Sequence, residues 1–312
     1  MKPEYRISTF IILFIFVAAP CYSEGLSHIP GAFVDIGYGA RPMGMGGAFT
    51  GLADDHNAVM WNPAGMCRVQ GNGISFMWAK QFGFVPYNYL SYSRELGKDY
   101  RIGAGVIFSG DEVLSESTTL VSFASPLTRA WYKLSDVYLG LSVKLRWASF
   151  GNNSDGDADR VTGDAFGYGF DFGIMVIPND KFSAGLLFRD LVNDITWNSS
   201  SSGKYSESVP EELTIGFSYK PTSRSIVAFD LRKALYKDVE DRIIIGVEQQ
   251  LFGLLKLRAG WGRSLSAEYS NQDIALGLGL YRAIGKLDFM FDFAYMLNDL
   301  KNTPRVGASI NW

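Results

Sequence analysis

The stretch that decides the fold is residues 285–295, Gly285-Lys286-Leu287-Asp288-Phe289-Met290-Phe291-Asp292-Phe293-Ala294-Tyr295. Apolar side chains recur at every second position, which is the period of a β-strand. One face carries Leu287, Phe289, Phe291, Phe293 and Tyr295, and the other carries Lys286, Asp288, Met290, Asp292 and Ala294. The pattern predicts a strand that is apolar on one side and largely polar on the other.

The same period recurs along the chain from about residue 73 onward. Most of the segments that show it have the length of about 9–11 residues that a membrane-crossing strand needs. The predicted strands are 73–79, 87–95, 100–109, 117–125, 136–149, 163–177, 181–190, 211–220, 223–231, 242–250, 254–262, 272–281, 285–296 and 303–312. Because bacterial single-chain barrels have even strand numbers, we expect an all-β fold, a 14-stranded antiparallel transmembrane β-barrel over residues 73–312.

The links between these segments alternate in length. Links after odd-numbered segments have six to twenty residues, whereas those after even-numbered segments have two to four, except for residues 126–135. Short inner turns and longer outer loops are typical of outer-membrane barrels. We therefore expect residues 150–162 and 191–210 to be the largest extracellular loops.

Charged residues in the strands identify the face that lies in the lumen. A Lys or Arg side chain that meets lipid at the bilayer midplane costs about 2–4 kcal/mol. The predicted lumen-facing charges are Lys144, Arg146, Lys256, Arg258, Asp288 and Asp292. Two roles stay open for these side chains. They could line a conduction path, or they could pair with one another and with an N-terminal hatch, which residues 24–72 are predicted below to form. The opposite faces are predicted to contact outer-membrane lipid.

Composition excludes several other classes of protein. The chain has 312 residues, 34 glycines, 14% aromatic residues and a formal net charge of −3. It lacks the basic stripe that nucleic-acid binding needs, and its two cysteines cannot form a disulfide framework. Residues 1–23 have a positive start, an apolar core and a small-residue cleavage site, which predicts a cleaved signal peptide. An exported chain of this kind is a soluble periplasmic β protein or, as the strand pattern favours, a barrel in the bacterial outer membrane.

Residues 24–72 lack the period of two and are rich in Gly, Met and Ala. About eight strands close over their own side chains, so a fourteen-strand barrel has room left to fill. Small residues let a backbone pack closely inside such a lumen. We therefore predict an N-terminal hatch, or plug, over residues 24–72.

Three motifs in this segment resemble a known family. They are Gly-Ala-Arg-Pro-Met-Gly-Met-Gly-Gly-Ala-Phe at 39–49, Ala-Asp-Asp at 53–55 and Trp-Asn-Pro-Ala-Gly at 61–65. Together they resemble the N-terminal signature of the PorV/PorQ-type proteins within the FadL/TodX superfamily of outer-membrane barrels. The resemblance implies a fourteen-strand barrel with a hatch, and it implies these hatch-motif residues: Gly44, Gly46, Gly47, Asp54, Asp55, Asn62, Pro63 and Ala64.

The predicted outer loops differ from those of the fatty-acid transporters in that superfamily. The third loop, residues 151–160, is acidic and polar, whereas Val192, Ile195 and Trp197 supply apolar surface in the fourth. The difference argues against capture of fatty acids.

Other motifs have simpler explanations than a catalytic or metal site. Asp155, Asp157 and Asp159 have the spacing that opens a calcium loop, but the Gly and Glu that should follow are missing. The glycines at 44–47 have no preceding strand, as a dinucleotide site requires, and His56 has no nucleophile motif to serve. The sequence predicts no enzyme, no cofactor and no metal.

Two functions beyond that of a purely structural barrel without transport, which is the third alternative, fit this architecture. The first is uptake of hydrophobic or amphipathic small molecules through a hatch-gated lumen, with an apolar pocket inside. The second is a PorV-like accessory barrel of a type IX-like protein secretion system, which binds cargo or partner proteins through its outer loops.

Overall fold

The computed structural model describes residues 33, 36–81, 83, 85–97, 99–111, 113–127, 136–151, 161–236, 239–265, 272–297 and 302–312. The predicted signal peptide and the acidic loop tip at Asp155, Asp157 and Asp159 lie outside the described residues. Among the described residues, no helix is long and apolar enough to cross a membrane.

The described residues form sixteen strands and three short helices. The helices are α1 (Ala40–Gly44), α2 (Ala58–Trp61) and a 3₁₀ helix (Pro63–Arg68). The strands are β1 (Gly73–Gln81), β2 (Val85–Leu96), β3 (Tyr100–Gly110), β4 (Leu114–Pro126), β5 (Val137–Phe150), β6 (Gly163–Asn179), β7 (Phe182–Arg189), β8 (Asn193–Ser199), β9 (Gly203–Glu207), β10 (Glu212–Thr222), β11 (Ser225–Ala234), β12 (Arg242–Leu251), β13 (Leu255–Ser264), β14 (Gln272–Ile284), β15 (Leu287–Leu297) and β16 (Thr303–Asn311).

The strands close into one antiparallel barrel. Gly73 of β1 lies opposite Ser93 of β2 on one side and opposite Asn311 of β16 on the other, so the first and last strands join the ring. The β5–β6 pairing completes it. Closure gives every wall strand two neighbours, which satisfies the backbone polar groups that lipid cannot. The prediction of a 14-stranded antiparallel barrel is confirmed, and its fourteen strand boundaries differ from the structure by at most three residues.

The two additional strands correct the prediction that residues 191–210 form a loop. Within this segment β8 pairs with the first half of β6, and β9 pairs with β8. The β8–β9 hairpin thus continues the β7–β10 pair at the extracellular end, so that the wall keeps fourteen positions. The physical reason is the length of β6, which has 17 residues and would otherwise leave half of its edge unpaired beyond β7.

The two faces of the wall differ in exposure as the strand pattern predicts. On β5 the outward side chains of Leu141, Val143, Leu145 and Trp147 are 38–49% exposed, whereas Lys144 and Arg146 between them are buried. Rows of this kind recur on the other wall strands and form an apolar belt around the barrel. A closed barrel with an apolar exterior is the architecture of transmembrane barrels in the bacterial outer membrane.

The outward face provides a test of membrane embedding. Phe291→Arg places a charge in the middle of β15, where the Phe291 ring is 58% exposed to the predicted lipid phase. We expect it to lower the free energy of unfolding from lipid vesicles by about 2–4 kcal/mol. Phe252→Arg is the control, because Phe252 lies in the turn between β12 and β13 and is 92% exposed there. Equal effects of the two variants in urea titrations would contradict the assigned lipid face.

Candidate functional site: the plugged lumen

The interior of the barrel is filled by residues 36–72, which we call the plug. Its apolar side chains form the main buried core together with inward side chains of the wall, and Met45, Phe49 and Leu52 are fully buried. The plug runs from the extracellular half of the lumen to Asn72, whose backbone nitrogen donates to the carbonyl of Trp312 at the periplasmic end. Both ends of the chain segment that forms the barrel therefore lie at the periplasmic side.

Plug and wall approach each other backbone to backbone. A methyl group placed on Gly260 of β13 would lie 2.2 Å from the nitrogen of Gly46, and one on Gly216 of β10 would lie 2.4 Å from the nitrogen of Gly51. Gly44 meets Gly277 of β14 in the same way, at 3.1 Å. These contacts leave no room for a side chain on either partner, which explains why glycine occupies both sides of the interface.

Gly46 and Gly47 have a second requirement besides space. Their φ angles are +70° and +86°, a region that other residues rarely adopt. They turn the chain directly after α1, where Gly46 N donates to the carbonyl of Met43 and Gly47 N to that of Pro42. Two of the predicted hatch-motif glycines therefore define the turn that follows α1.

The Asn-Pro-Ala motif fixes the plug against β5 and β6. Asn62 is fully buried, accepts the backbone N–H of Ala64 at 3.1 Å, and donates to the carbonyls of Thr50 and Ile174, each at 3.1 Å. It thereby caps the 3₁₀ helix, in which Pro63 takes the first position. A methyl group on Gly140 of β5 would lie 2.2 Å from the Ala64 nitrogen. The motif is thus a capping and packing element that joins the plug to the wall.

The acidic turn belongs to a buried ion-pair cluster centred on Arg41. The Arg41 guanidinium lies 2.8 Å from both Asp54 and Asp55 of the plug and 2.9 Å from Glu248 of β12. Burial lowers the pKa of Arg41, but the three carboxylates raise it more, so that the pKa lies well above its ordinary value. The pKa of Asp54 is lowered on balance, since Arg41 and Lys220 outweigh the effect of burial. The cluster therefore holds its charges, and it ties the plug to the wall.

The wall supplies the other members of this cluster. Arg258 of β13 binds Glu248 and Asp292, each at 2.6 Å, and Lys256 lies 3.9 Å from Glu248. Asp288 sits nearer the rim, where it accepts the Tyr281 hydroxyl at 2.7 Å. The wall charges are predictable from their strand positions. Arg41 and Glu248 are not, because their partners lie far apart in the chain.

A second buried charge cluster lies at the bulge between β7 and β8. Lys144 is 2.7 Å from Asp171 and 3.3 Å from Asp190, and Arg146 is 2.6 Å from Asp190. In the structure, four of the predicted lumen charges form ion pairs: Lys144, Arg146, Arg258 and Asp292. This arrangement fits the pairing role that the sequence left open better than it fits a conduction path.

The Asp190 side chain lies inside the barrel because the pairing of the wall strands is irregular at that point. Phe172 of β6 faces Phe188 of β7, and Gly169 faces Asn193 of β8, so three steps on β6 lie against five on the opposite strand. The two extra residues form a bulge in which Asp190 has a φ of +54°. Leu191 and Val192 are exposed on the outside of this wall bulge.

Above the plug, a second apolar cluster lies within the extracellular half of the barrel. We call it the upper apolar cluster; it consists of Ala148, Ala165, Ile195 and Trp197 with Phe33, Phe150 and Val209 packed against them. Phe33 precedes the plug, and the Arg146 guanidinium carbon lies 6.0 Å from the centre of its ring. Ile195 and Trp197 are predicted from the sequence only as loop surface, although their alternation with Asp194 and Thr196 is a signal for a strand.

The periplasmic face of the plug carries a more polar recess of about 380 Å³. It is bordered by Asp54, Asp55 and Lys220, and by His56, whose Nδ1 lies 2.8 Å from Ser93 Oγ of β2. Within the described ranges, no group of three or more His, Cys, Asp or Glu side chains is arranged to hold a metal ion. In this structure His56 serves as a contact between plug and wall.

Comparisons with known proteins give the class of this architecture. The barrel is similar to the CymD monoaromatic hydrocarbon channel (TM-score 0.62, 16% identity, 88% of this chain and 96% of that chain) and to the Pseudomonas putida toluene transporter TodX (0.58, 17%, 88% and 97%). It is also similar to a Pseudomonas aeruginosa FadL homologue (0.59, 9%, 88% and 98%). The chain therefore has the fold of FadL/TodX-type outer-membrane channels. No protein-family model and no curated protein sequence matches it.

The backbone contact between plug and wall predicts a sharp steric limit. Gly260→Ala would push a methyl group against Gly46, and we expect it to lower the free energy of unfolding by about 1–3 kcal/mol and to expose the plug to added protease. Gly262→Ala is the matched control, because it lies on the same strand and face but its methyl group would meet no atom closer than 3.5 Å. Similar protease patterns for both variants would contradict the backbone contact.

The Arg41 cluster predicts a larger electrostatic effect. Arg41→Met removes the cation that Asp54, Asp55 and Glu248 share, and we expect it to cost about 3–5 kcal/mol of folding free energy. Arg94→Met removes an exposed arginine that donates only to the neighbouring Glu95 carbonyl, and its effect should stay within about 0.5 kcal/mol. Urea unfolding in vesicles measures both, and an Arg41 variant as stable as the control would show that the cluster does not hold the plug.

Proposed function

We propose that the chain is an outer-membrane channel for the uptake of small hydrophobic or amphipathic molecules. The observation that carries this proposal is the upper apolar cluster, a buried apolar site inside the lumen on the extracellular side of the plug. Sites that bind small apolar ligands are concave and lined mainly by hydrophobic and aromatic side chains. The similarity to channels that are described as carrying toluene and monoaromatic hydrocarbons supports the same class of ligand.

In this proposal Phe33 occupies the place of the ligand in the closed state. Its ring packs against the cluster, so a ligand that binds in the same place has to displace Phe33. Of the predicted hatch over residues 24–72, Phe33 then acts as the gate and residues 36–72 form the packed floor, whereas residues 24–32, 34 and 35 lie outside the described residues.

The wall bulge offers the ligand a way out. The backbone of the plug contacts the backbone of the wall, so the plug blocks the direct path through the lumen to the periplasm. The bulge lies beside the upper apolar cluster, since Ile195 follows β8 Asn193 by two positions. The ladder is irregular there, and the Leu191 N–H, which donates to the Phe170 carbonyl, links the two strands across the bulge. We place the exit there, sideways into the membrane, where an apolar molecule is soluble.

The second candidate is a PorV/PorQ-type accessory barrel of a protein secretion system. It rests on the resemblance of residues 39–66, and the packed plug supplies the sealed lumen that it needs. Its docking surface would be the β8–β9 hairpin at the extracellular end of the barrel. Deletion of residues 200–202 at the hairpin turn would then change the proteins recovered after surface crosslinking without altering the uptake of small molecules.

Uptake can be measured directly in cells that express the chain and lack their own hydrocarbon channel. We expect faster entry of labelled toluene than in cells without the chain. Phe33→Ala empties the upper apolar cluster and should increase uptake at low toluene concentration by about five- to tenfold, because a competing ring lowers the apparent affinity of the site.

Phe166→Ala serves as the control for this variant. Phe166 is an outward aromatic residue of β6, 49% exposed, so its loss should leave the uptake rate unchanged. The channel proposal fails if cells with and without the chain take up toluene and related compounds at the same rate. A Phe33 variant that behaves like wild type would remove Phe33 from the gate.

A further inference from the structure

Three neighbouring turns at the periplasmic end of the barrel form one continuous surface. The turn between β14 and β15 lies at this end, because β15 starts beside Asn311 of β16. Near the end of β14, Tyr281 N donates to the Leu254 carbonyl in the β12–β13 turn at 2.8 Å. At the end of β12, Gln250 N donates to the Arg224 carbonyl in the β10–β11 turn, also at 2.8 Å. The three turns are therefore held side by side along the rim.

The side chains of these turns give the surface a positive charge. Arg224, Arg282 and Lys286 are exposed, and they have no ion-pair partner in the part of the chain that the structure describes. The one acidic residue in the three turns and their flanking strand ends is Asp288, which is half-buried and accepts the Tyr281 hydroxyl at 2.7 Å. The surface thus presents three cations and no exposed carboxylate.

Two other periplasmic turns have a different balance of charge. At the β2–β3 turn, Glu95 pairs with Arg101 at 2.8 Å. At the β6–β7 turn, the exposed Asp180 directly precedes Lys181. Positive charge is offset by neighbouring acids in both places. The unpaired cations of the β10–β15 turns therefore distinguish one sector of the described rim.

The same sector exposes large apolar side chains. Phe252 is 92% exposed at the tip of the β12–β13 turn, and Ile284 is 60% exposed at the β14–β15 turn. Phe252 also has a φ of +52°, a region that a bulky residue rarely adopts. An aromatic ring held outward at such a position points to a contact beyond the chain itself. We define the periplasmic rim patch as Arg224, Phe252, Leu254, Arg282, Ile284 and Lys286.

The patch continues the lipid-facing surface of the wall. Leu276, Leu278 and Leu280 form the outward row of β14 and are 40–52% exposed. Arg282 is the next residue on that face, at the periplasmic end of the row. A cation in this position can keep its methylene groups beside the apolar surface while its charged head reaches the phosphate level of the membrane. Basic and aromatic side chains suit this level of a bilayer.

We propose that the periplasmic rim patch binds the head groups of anionic phospholipids in the inner leaflet of the outer membrane. The lipid phosphates pair with the guanidinium groups of Arg224 and Arg282 and with the Lys286 ammonium group, whereas Phe252 and Ile284 enter the boundary between head groups and acyl chains. Each cation adds attraction to an anionic lipid surface. Bound lipid holds this sector of the barrel at a fixed depth, whatever passes through the lumen.

Native mass spectrometry of the full chain in a mild detergent tests this binding. The chain is titrated with phosphatidylglycerol or with phosphatidylcholine that has the same acyl chains. We expect the wild type to retain phosphatidylglycerol about tenfold more than phosphatidylcholine, and this preference should fall as the ammonium acetate concentration rises. In the triple variant Arg224→Gln, Arg282→Gln and Lys286→Gln, the preference should drop to about twofold or less.

A second triple variant is the matched control. Lys80→Gln, Lys181→Gln and Lys233→Gln remove the same amount of charge from exposed cations outside the periplasmic rim patch. Because these three side chains lie on other strands or turns, the preference for phosphatidylglycerol should stay at the wild-type value. Heat-modifiable migration in gels establishes that each variant has folded. If the patch variant does not fold, the lipid preference of the wild type and its dependence on salt still decide.

Several results would overturn the inference. Equal retention of the two lipids by the wild type, or an unchanged preference in the patch variant, shows that the patch does not select anionic lipid. Displacement of phosphatidylglycerol by an equal concentration of inorganic phosphate shows a site for a free anion. A periplasmic protein that is recovered with the wild type but not with the patch variant, in the absence of a lipid preference, assigns the patch to a protein partner. None of these results bears on the proposed channel function.

Discussion

A wall of fourteen strand positions encloses more space than its own inward side chains can fill, and the rest of the structure depends on how this space is filled. The plug fills it with backbone rather than with large side chains. At Gly260, Gly216 and Gly140 the wall accepts the plug only because no methyl group stands between them. Much of the chain's high glycine content, 34 residues, therefore reflects close approach inside the barrel as well as turns. The same contact closes the lumen.

The enclosed space also determines the arrangement of charge. Side chains that cannot face lipid must face the lumen, and once the plug excludes water they must find partners. Two separate clusters result. The cluster of Arg41 joins plug to wall, whereas the cluster of Asp190 joins wall strands to the bulge. The second cluster contains no plug residue, so the charges beside the wall bulge are paired without a contribution from the plug.

The sequence was sufficient to predict the strands of the wall but not the contacts inside the barrel. A period of two is a local property, so residues 285–295 alone identify a strand and its apolar face, and counting such segments gives the barrel. The β8–β9 hairpin was not predicted, because its strands have seven and five residues and are shorter than strands that cross the membrane. Pairings such as Arg41 with Glu248 span 207 positions and depend on the rotation of the plug inside the ring, which no spacing in the sequence encodes. For the hatch motif, the resemblance indicated Asn62 and its neighbours, and the structure adds what they contact.

Displacing Phe33 from its place above the plug costs less free energy than removing the plug from the barrel. Pulling the floor out would break the buried Arg41–Glu248 pair, at about 3–5 kcal/mol, and the Asp54–Lys220 pair. It would also remove the packing of fully buried residues such as Met45 and Phe49. Withdrawing Phe33 exposes a single ring, whose burial contributes about 1.5–3 kcal/mol of free energy. A ligand of similar size that takes its place would recover most of this free energy. In the proposed channel, a molecule that displaced Phe33 but not the plug would leave through the wall, and the bulge at Asp190 is an irregularity of the wall beside this site. Selectivity, closure and exit would thus be assigned to three different parts of the barrel: the upper apolar cluster, the plug and the bulge.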